Sequence, residues 1–355
     1  MTDRIDVGVL GATGLVGQHL IAQLAHHPWL RVAWIGASER SAGRIYRDTP
    51  WRIETDRPPE IERLRLERPR PGAGPALMFS ALDAASAAEL EPALAAAGHT
   101  VISNASAHRL RDDVPLVVPE INPETLSLAE AQPWDGALIT NPNCSTIFLT
   151  LALAPLARFG IRAVTVTTLQ ALSGAGHPGV SSLDAVGNVV PFIAGEEEKI
   201  ERETMKILGA RFPISAQATR VPVAHGHTEL VSVSLAERVT ARDLIEAWAA
   251  FRGHPSSRAL PSAPAAPVQF VDGDDRPQPR LDLRRGAGMC VSVGRLRPCG
   301  VLDWRFVALG HNLIRGAAGA AVLNAELAVI SFRDAPRSRR RPRAARLADG
   351  AAAGH

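Results

Sequence analysis

Apolar and polar positions in the first 150 residues follow a pattern that predicts alternating strands and helices. Residues 5–11 (IDVGVLG) form an apolar run of strand length, and a helical pattern follows it to about residue 26. The other elements predicted in this part are strands at 31–37, 77–80, 100–104 and 136–140, a helix over 84–97, and a further element in the stretch 114–121. Strands that alternate with helices predict an α/β layer structure around a parallel sheet.

The pattern changes near residue 161, where the predicted strands become longer. A long apolar helix is predicted over 146–159, and strands follow at 161–171, 230–235, 289–294 and 304–309. This part fits a sheet faced by helices on one side, an α+β arrangement. The stretches 255–267 and 272–285 read as a long excursion of a kind that often serves subunit contacts. A last helix, at about 312–332, carries small residues early and suits close packing on the first part.

The chain length of 355 residues allows two domains of ordinary size. We predict a first domain over 1–146 that the C-terminal helix 311–334 completes, a second domain over 147–310, and a disordered basic tail over 335–355. The formal charge is +3, but residues 336–355 hold six arginines and one acid, which leaves the body mildly acidic. The tail has no aromatic residues, so solvation is favoured over nucleic-acid binding.

The composition also bears on location. The longest apolar candidate, 146–159, is shorter than the roughly 18 residues of a membrane span and is interrupted by Pro155. The N-terminus runs straight into a strand and has no signal-peptide pattern. An odd and small number of cysteines, three, argues against a disulfide framework. We therefore predict a cytoplasmic protein with no membrane partner.

A glycine turn links the first strand to the first helix. Gly11, Thr13, Gly14, Leu15 and Val16 fall in this turn, where the backbone can approach a pyrophosphate at a helix N-terminus. The spacing G-x-x-G-x-x-G is a weak signal alone, but its position between strand and helix predicts a Rossmann-type dinucleotide site.

The residues after the second predicted strand bear on the choice of dinucleotide. Ser38, Arg40 and Ser41 offer hydroxyls and a guanidinium, which suit the 2′-phosphate of NADP. Glu39 could instead hold a ribose hydroxyl, so NAD stays possible.

Cys144 is the residue with the clearest chemical potential. It lies in NPNCST, between a predicted strand and the apolar helix, and thus at a helix start. The helix dipole and the free N–H groups there favour a thiolate and would also stabilise a tetrahedral oxyanion. A lone cysteine is more often an inert core residue, so this interpretation needs support from elsewhere.

Other polar residues have ordinary explanations when taken singly. Gln170 ends a strand before a turn that contains Ser173 and Gly174. Glu196 and Lys199 stand one helical turn apart, which usually means a solvated ion pair. Arg220 and His227 flank the segment VPVAHGH, and most histidines are not catalytic.

Together these residues resemble the aspartate-semialdehyde dehydrogenase family, in particular its archaeal and fungal branch. The resemblance extends to about residue 332 and excludes the basic tail. The segments that carry it include GATGLVGQ, ASERSAGRIY, SNASAHR, NPNCST, QALSGAGHPGVSSLD, GEEEKIERETMKILG, RVPVAHGHTE and HNLIRGAAGAAVLNAEL. It implies a Rossmann-type dinucleotide-binding domain followed by an α+β catalytic and dimerisation domain of the semialdehyde dehydrogenase type.

The resemblance implies a role for each candidate residue. Cys144 would be the nucleophile, His227 the general acid/base and Gln170 an orienting residue, and Asn143 would be an oxyanion donor. Arg220 would bind the substrate carboxylate, Glu196 its ammonium group, and Lys199 with Arg109 the phosphate. The residues expected to contact NADP are Gly11, Thr13, Gly14, Leu15, Val16, Ser38, Arg40, Ser41, Ser173, Gly174 and Asn312.

The implied reaction is the reductive dephosphorylation of L-4-aspartyl phosphate to L-aspartate 4-semialdehyde. The Cys144 thiolate would displace phosphate to give a thioester, NADPH would deliver hydride to its carbonyl carbon, and His227 would protonate the collapsing hemithioacetal. The partners expected are a small-molecule acyl phosphate, inorganic phosphate and a second copy of the chain, as a homodimer or homotetramer. No metal and no nucleic acid is expected.

Four alternatives stay open. A related acyl reductase such as a malonyl-CoA reductase would have little use for Glu196, since its substrate has no ammonium group. An N-acetylglutamyl phosphate reductase differs in the context of its cysteine. A catalytically silent dinucleotide-binding protein would not need Cys144, His227, Arg220 and Gln170 together. A pathway-specific paralogue with a redirected substrate is the fourth.

Overall fold

Two six-stranded sheets organise the protein in the computed structural model, which describes residues 4–334. The first half of the chain forms one sheet and the second half forms the other. Buried aliphatic and aromatic side chains pack against both sheets. The sequence-based prediction of a parallel α/β part followed by an α+β part is confirmed.

The first sheet is parallel throughout. Its elements, with the helices that connect them, are β1 (Ile5–Leu10), α1 (Leu15–Leu24), β2 (Leu30–Gly36), β3 (Leu66–Glu67), β4 (Leu77–Ser80), α2 (Ala84–Ala96), β5 (Thr100–Ser103) and β6 (Ala137–Thr140). The strand order is β3-β2-β1-β4-β5-β6, so the chain reverses direction across the sheet at β1. Open α/β sheets bind ligands at the carboxyl ends of the strands beside such a reversal.

The second sheet is mixed and lies under three helices. Its elements are α3 (Cys144–Leu153), β7 (Ile161–Gln170), α4 (Ser182–Ala185), α5 (Glu196–Leu208), β8 (Ile214–Arg220), β9 (His227–Leu235), α6 (Ala241–Ala250), α7 (Pro255–Arg258), β10 (Val268–Val271), α8 (Pro279–Asp282), β11 (Val291–Pro298) and β12 (Trp304–Gly310). The strand order is β10-β11-β12-β9-β7-β8. Helices α3, α5 and α6 share one apolar cluster with the inner face. On the outer face Leu230 is 44% exposed, so part of this face is uncovered in the described chain.

The C-terminal helix returns to the first sheet. It begins with a π-helical turn, Ile314–Ala318, and continues as α9 (Gly319–Asp334). The helix Ile314–Phe332 is long and apolar enough to cross a membrane, but 78% of the relevant window is buried inside the protein. It contacts α1 and β5, as expected of a core helix. The expectation that 146–159 is the longest apolar candidate was therefore wrong. The C-terminal helix is longer, and its many small residues make its apolar character less evident in the sequence.

Several predicted elements differ from the structure. The stretch 114–121 contains no strand and touches the first sheet through a single bridge between Leu116 and Thr140. The helix predicted over 146–159 begins at Cys144 and ends at Leu153, with a 3₁₀ segment after it. The prediction omitted β8 and α6, although Thr240 and Asp243 form a capping box at the start of α6.

The predicted excursion folds back onto the first half of the chain. Ser262 donates a hydrogen bond of 2.6 Å to Glu326 of α9, and His27 contacts the same carboxylate at 2.6 Å. This buried cluster joins the excursion to α9 and to the loop before β2. A role for the excursion in subunit contacts stays a prediction, and the predicted basic tail lies outside the described residues.

Candidate active site

A cavity of about 810 Å³ lies at the carboxyl ends of the first sheet and reaches Cys144. Its lining comes from the turns that follow β1, β2 and β4 and from the start of α3, together with residues of the second half. The predicted residues in its wall are Gly11, Thr13, Gly14, Leu15, Val16, Ser38, Arg40, Arg109, Asn143, Cys144, Ser173, Gly174 and Asn312. Ser41 is absent from this wall, and its N–H donates to the Ser38 carbonyl at 2.9 Å to hold the turn.

The glycine turn is shaped by close approach of backbone to backbone. Gly11 has φ +72°, and a Cβ at this position would lie 2.5 Å from the carbonyl oxygen of Ala81. A Cβ on Gly17 would lie 2.3 Å from the Gly11 carbonyl oxygen. Gly14 is the N-cap residue of α1, and no side chain caps the start of this helix. The first N–H groups of α1 have no intrahelical partner and lie beside the cavity, a cradle that fits the pyrophosphate of a dinucleotide.

The far end of the cavity is basic. Ser38, Glu39, Arg40 and Arg68 line it, and Arg68 forms an ion pair of 2.5 Å with Glu39. Both partners are more than half exposed, so the pair is weak and Arg68 can release Glu39 at little cost. Arg68 was missed by sequence reasoning because β3, which precedes it, has only two residues.

We predict that Arg40 and Arg68 act together on the cofactor 2′-phosphate. Arg40→Ala and Arg68→Ala should each raise KM for NADPH about tenfold and leave KM for NADH within about twofold, since NADH lacks that phosphate. Steady-state kinetics with both cofactors measure this. Arg63→Ala is the matched control, because Arg63 is exposed and lies outside the cavity wall. Equal losses with NADPH and NADH would contradict the prediction.

Asn143 fixes the start of α3. Its Oδ1 accepts hydrogen bonds from the N–H groups of Ser145 (2.9 Å) and Thr146 (3.2 Å), an N-cap. Its Nδ2 donates to Glu196 Oε1 at 2.6 Å. One Nδ2 hydrogen therefore stays available for an oxyanion.

The Glu196 carboxylate contacts several of the predicted polar residues near Cys144. Its Oε1 also accepts from Gln170 Nε2 at 3.0 Å, and its Oε2 lies 3.6 Å from Lys199 Nζ. Gln170 Nε2 further contacts Ser145 Oγ at 3.1 Å. Gln170 thus holds the residue next to Cys144. The expected solvated ion pair of Glu196 and Lys199 is instead half-buried, because α5 packs against α3.

Cys144 is a free, half-buried thiol. Burial and the Glu196 carboxylate raise the pKa of its thiol to about 12, while the Ser145 N–H and Arg109 offset only part of the increase. The sequence-based prediction that the helix start favours a thiolate is wrong. The helix N-terminus is present as predicted, but desolvation of the half-buried thiol and a neighbouring carboxylate outweigh its effect on the pKa.

His227 and Arg220 lie side by side under the Gly174 turn. A Cβ on Gly174 would lie 2.7 Å from an Arg220 guanidinium nitrogen and 3.0 Å from His227 Cε1, so any larger residue would have to displace these two side chains. The Arg220 guanidinium also donates to the Ala171 carbonyl at 2.7 Å. Burial and Arg220 lower the pKa of His227 to about 3, so the imidazole is neutral.

The hydrogen bonds of His227 identify its donor atom. The Ala171 N–H donates to His227 Nδ1 at 3.0 Å, so the neutral ring carries its hydrogen on Nε2. This Nε2 is buried and lacks a partner among the described residues. An open donor of this kind suits the carbonyl oxygen or oxyanion of a substrate.

Glu203 is a site residue that sequence reasoning missed. Its Oε1 accepts from Arg109 at 3.1 Å, and its Oε2 accepts from the Asn143 N–H at 2.6 Å. The available signal was its position on α5, seven residues after Glu196 and therefore on the same helix face. Arg109 keeps a buried Nε without a partner in the described chain.

Comparisons with known proteins agree with this geometry. Residues 6–129 match the profile described as "Semialdehyde dehydrogenase, NAD binding domain", and residues 153–315 match "Semialdehyde dehydrogenase, dimerisation domain". The aspartate-semialdehyde dehydrogenase of Archaeoglobus fulgidus is 46% identical over 343 residues, which cover 92% of this chain and 98% of the relative. The chain belongs to the aspartate-semialdehyde dehydrogenase family, in its archaeal and fungal branch.

Fungal relatives and solved structures point the same way. The aspartate-semialdehyde dehydrogenase of Cryptococcus neoformans is 45% identical over 355 residues, covering 92% of this chain and 97% of the relative. The Candida albicans enzyme, solved with NADP, superimposes with a TM-score of 0.84 at 40% identity, covering 92% of this chain and 98% of that one. The Vibrio cholerae enzyme II complexed with ASA gives a TM-score of 0.77 at 27% identity, covering 94% and 99%.

Proposed function

We propose that this protein catalyses the NADP-dependent reductive dephosphorylation of L-4-aspartyl phosphate to L-aspartate 4-semialdehyde and phosphate. The observation that carries the proposal is the position of Cys144, at the end of a dinucleotide cavity and directly beside buried charges of both signs. The substrate has a carboxylate, an ammonium group and a phosphate, and the site offers a countercharge to each.

The three charges of the substrate match three groups around Cys144. Arg220 suits the carboxylate, because its planar guanidinium can form two parallel hydrogen bonds. Glu196 suits the ammonium group through Oε2, which lies 3.6 Å from Lys199 Nζ and accepts no hydrogen bond from residues 4–334. Arg109 and Lys199 are the two cations left for the phosphate.

Substrate binding also explains how a half-buried thiol with a raised pKa can react. An ammonium group beside Glu196 removes the negative charge that raises the pKa of Cys144. This change favours loss of the thiol proton, so the nucleophile forms when its own substrate is bound.

Cys144 then carries the acyl group as a thioester. Sγ of Cys144 attacks the acyl carbon, phosphate departs, and the thiol proton leaves with it as hydrogen phosphate. NADPH, when bound along the cavity, supplies the hydride that reduces the thioester carbonyl. His227 Nε2–H stabilises the resulting oxyanion, which collapses to the aldehyde and expels the Cys144 thiolate, and the thiolate then takes up a proton from solvent.

A substrate panel tests the proposed function. Purified protein should reduce NADP with L-aspartate 4-semialdehyde only when phosphate is present. With NADPH it should turn over aspartyl phosphate far faster than N-acetylglutamyl phosphate or malonyl-CoA. Glu196→Ala should raise KM for the semialdehyde, because the ammonium group loses its partner. Unchanged kinetics in this variant would favour a substrate without an ammonium group, such as malonyl-CoA.

We also propose that two copies of the chain pair through the uncovered face of the second sheet, as a homodimer or as half of a homotetramer. Leu230 on this face is 44% exposed, and Phe192 in the segment after α4 is 65% exposed. The family profile of this part carries the description of a dimerisation domain.

The three cysteines of the protein, Cys144, Cys290 and Cys299, are all free, which supports a reducing, cytoplasmic location.

Leu230→Asp should shift the protein towards the monomer, since a charge buried in an interface is costly. Light scattering coupled to size exclusion measures the mass. Val301→Asp is the control, because Val301 is 92% exposed on the turn before β12. A wild-type protein that is monomeric at micromolar concentration would contradict the pairing.

A further inference from the structure

Arg109 is one of the two cations assigned to phosphate, and it lies on a loop that follows β5. Turns and bends make up most of this loop, which covers residues 104–115. Some hydrogen bonds within it are long, such as the 3.4 Å bond that the Arg109 N–H donates to the Ser106 carbonyl. Connecting loops are more mobile than helices and strands, so the loop alone does not fix the direction of a long side chain. Contacts from other elements must therefore set the position of Arg109.

Lys206 of α5 fixes the backbone of this loop. Its ammonium group donates to the carbonyl oxygens of Arg109 at 2.9 Å, Arg111 at 2.7 Å and Val114 at 3.1 Å. These bonds use every N–H of the ammonium group. The chain has only two lysines, Lys199 and Lys206, and its other basic side chains of this kind are arginines. A planar guanidinium suits two parallel acceptors, whereas a compact ammonium suits three converging carbonyl groups.

Glu203 fixes the guanidinium group of Arg109. Its Oε1 accepts from Arg109 Nη1 at 3.1 Å, and the Asn104 carbonyl accepts from Nη2 at 2.7 Å. The side chains of Arg109 and Glu203 are 8% and 1% exposed, so solvent does not screen this pair. Glu203 Oε2 also accepts from the Asn143 N–H at 2.6 Å. One buried carboxylate therefore links the guanidinium group to the start of α3.

The anchored guanidinium group keeps donors for a ligand. Each terminal nitrogen of Arg109 has two N–H groups, and the two anchors use one on each nitrogen. Its Nε–H has no partner among residues 4–334. Arg109 and Cys144 both line the cavity. The anchors therefore restrict the orientation of Arg109 and leave part of its hydrogen-bonding capacity for an anion beside the nucleophile.

Both anchors come from one face of α5, since Glu203 and Lys206 are about one helical turn apart. We propose that Glu203 and Lys206 are positioning residues for the phosphate site. Lys206 holds the backbone of Arg109, and Glu203 holds its guanidinium group. A side chain that is held in place before phosphate arrives loses less conformational entropy on binding. The proposal rests on the proposed function in one respect, the assignment of Arg109 to phosphate.

Glu203→Gln separates positioning from a simple effect of charge. A carboxylate near an anion site opposes the anion, so loss of its charge alone would tighten phosphate binding. Loss of the anchor should weaken it, because one of the two acceptor oxygens becomes an NH₂ group. We expect the dissociation constant of inorganic phosphate to rise about tenfold. A phosphorus-31 NMR titration of the NADP-loaded protein measures this constant without turnover.

Lys206→Met removes the ammonium group and retains a long, unbranched side chain. We expect the dissociation constant of phosphate to rise about tenfold, because the loop carbonyls lose their donor. The same substitution should change this constant less than about twofold in a background of Arg109→Met with Glu203→Gln, since Lys206 acts through Arg109. That background removes both charges of the buried pair. If Lys206→Met does not fold, Lys206→Gln repeats the test with an amide donor retained.

Steady-state kinetics separate positioning from a general loss of structure. In Lys206→Met the KM for phosphate should rise about tenfold, and the KM for the semialdehyde should stay within about twofold, because the partners of its carboxylate and ammonium groups are unchanged. Arg202→Ala is the matched control. Arg202 lies on α5, is more than half exposed and donates to Glu198 at 2.7 Å, so its loss should leave both KM values and phosphate binding unchanged.

The outcomes are distinct. Tighter phosphate binding in Glu203→Gln, or a loss in Lys206→Met that persists in the background without Arg109, would refute the positioning roles. Unchanged phosphate binding in both single variants would refute them as well. A wild-type protein that binds phosphate no better than that background would overturn the assignment of Arg109. Absence of turnover with the semialdehyde, NADP and phosphate would instead overturn the proposed function, and the NMR titration would still report on Arg109.

Discussion

Cys144→Ser should reduce kcat/KM for aspartate semialdehyde by roughly 10⁴-fold or more, because a serine hydroxyl is a much weaker nucleophile than a thiolate and forms a less reactive ester. The substitution removes little volume and keeps the N-cap by Asn143, so the fold should be retained. Steady-state rates with NADP and phosphate measure the loss, and NADP affinity should stay within about twofold of wild type.

Cys299→Ser is the matched control for this loss. Cys299 is a free, partly exposed cysteine before β12, outside the cavity wall, and its sulfur accepts the Leu302 N–H at 3.4 Å, which a hydroxyl can also do. Its activity should equal that of wild type. Activity of Cys144→Ser within tenfold of wild type would remove the thioester from the mechanism.

Arg315→Met should destabilise the protein by about 3–5 kcal/mol, the cost of leaving one partner of a buried ion pair alone. Arg315 is 0% exposed and its two terminal nitrogens donate to both oxygens of Glu120 at 2.8 Å. The pair joins the stretch 114–121 to the π-helical turn that leads into α9. Thermal unfolding should show a midpoint lower by about 5 °C or more.

Two comparisons test this explanation. In the double variant Glu120→Gln with Arg315→Met neither charge of this pair remains, so much of the stability should return. Arg242→Ala, which breaks the exposed pair with Glu246 at 2.6 Å, should cost less than about 1 kcal/mol. If the double variant is as unstable as Arg315→Met alone, the loss comes from packing and not from the unpaired carboxylate.

The sequence predicted elements best where local pattern and local chemistry coincide. The strand, glycine turn and helix at the N-terminus appear as β1 and α1 close to the expected positions, because Gly11 and Gly17 are needed for contacts within this unit. The pattern failed at 114–121, which is apolar because it is buried, not because it is a strand. Instead, the Arg315 guanidinium holds the Glu120 side chain, and the Asn324 side chain donates to the backbone of the stretch. Both contacts join residues that lie about 200 positions apart in the chain.

The residues of the candidate site likewise fall into those that the sequence identified and those that only the structure revealed. Cys144, Gln170, Glu196, Arg220 and His227 come from five elements and meet in one cluster, as their resemblance to a family implied. Glu203 was not singled out, since an acid on a helix gives no sign of burial in the sequence. Its position becomes informative only when α5 packs against α3.

The sequence by itself determined the two-part architecture, the dinucleotide turn and the placement of Cys144 at a helix start, because these depend on residues that are near one another in the chain. Only the tertiary structure decided the protonation state of the site. Cys144 is a thiol, His227 is neutral with its hydrogen on Nε2, and both states follow from desolvation and from charges on distant elements. The free energy of a charged group depends on everything packed around it, and the sequence order does not contain that information.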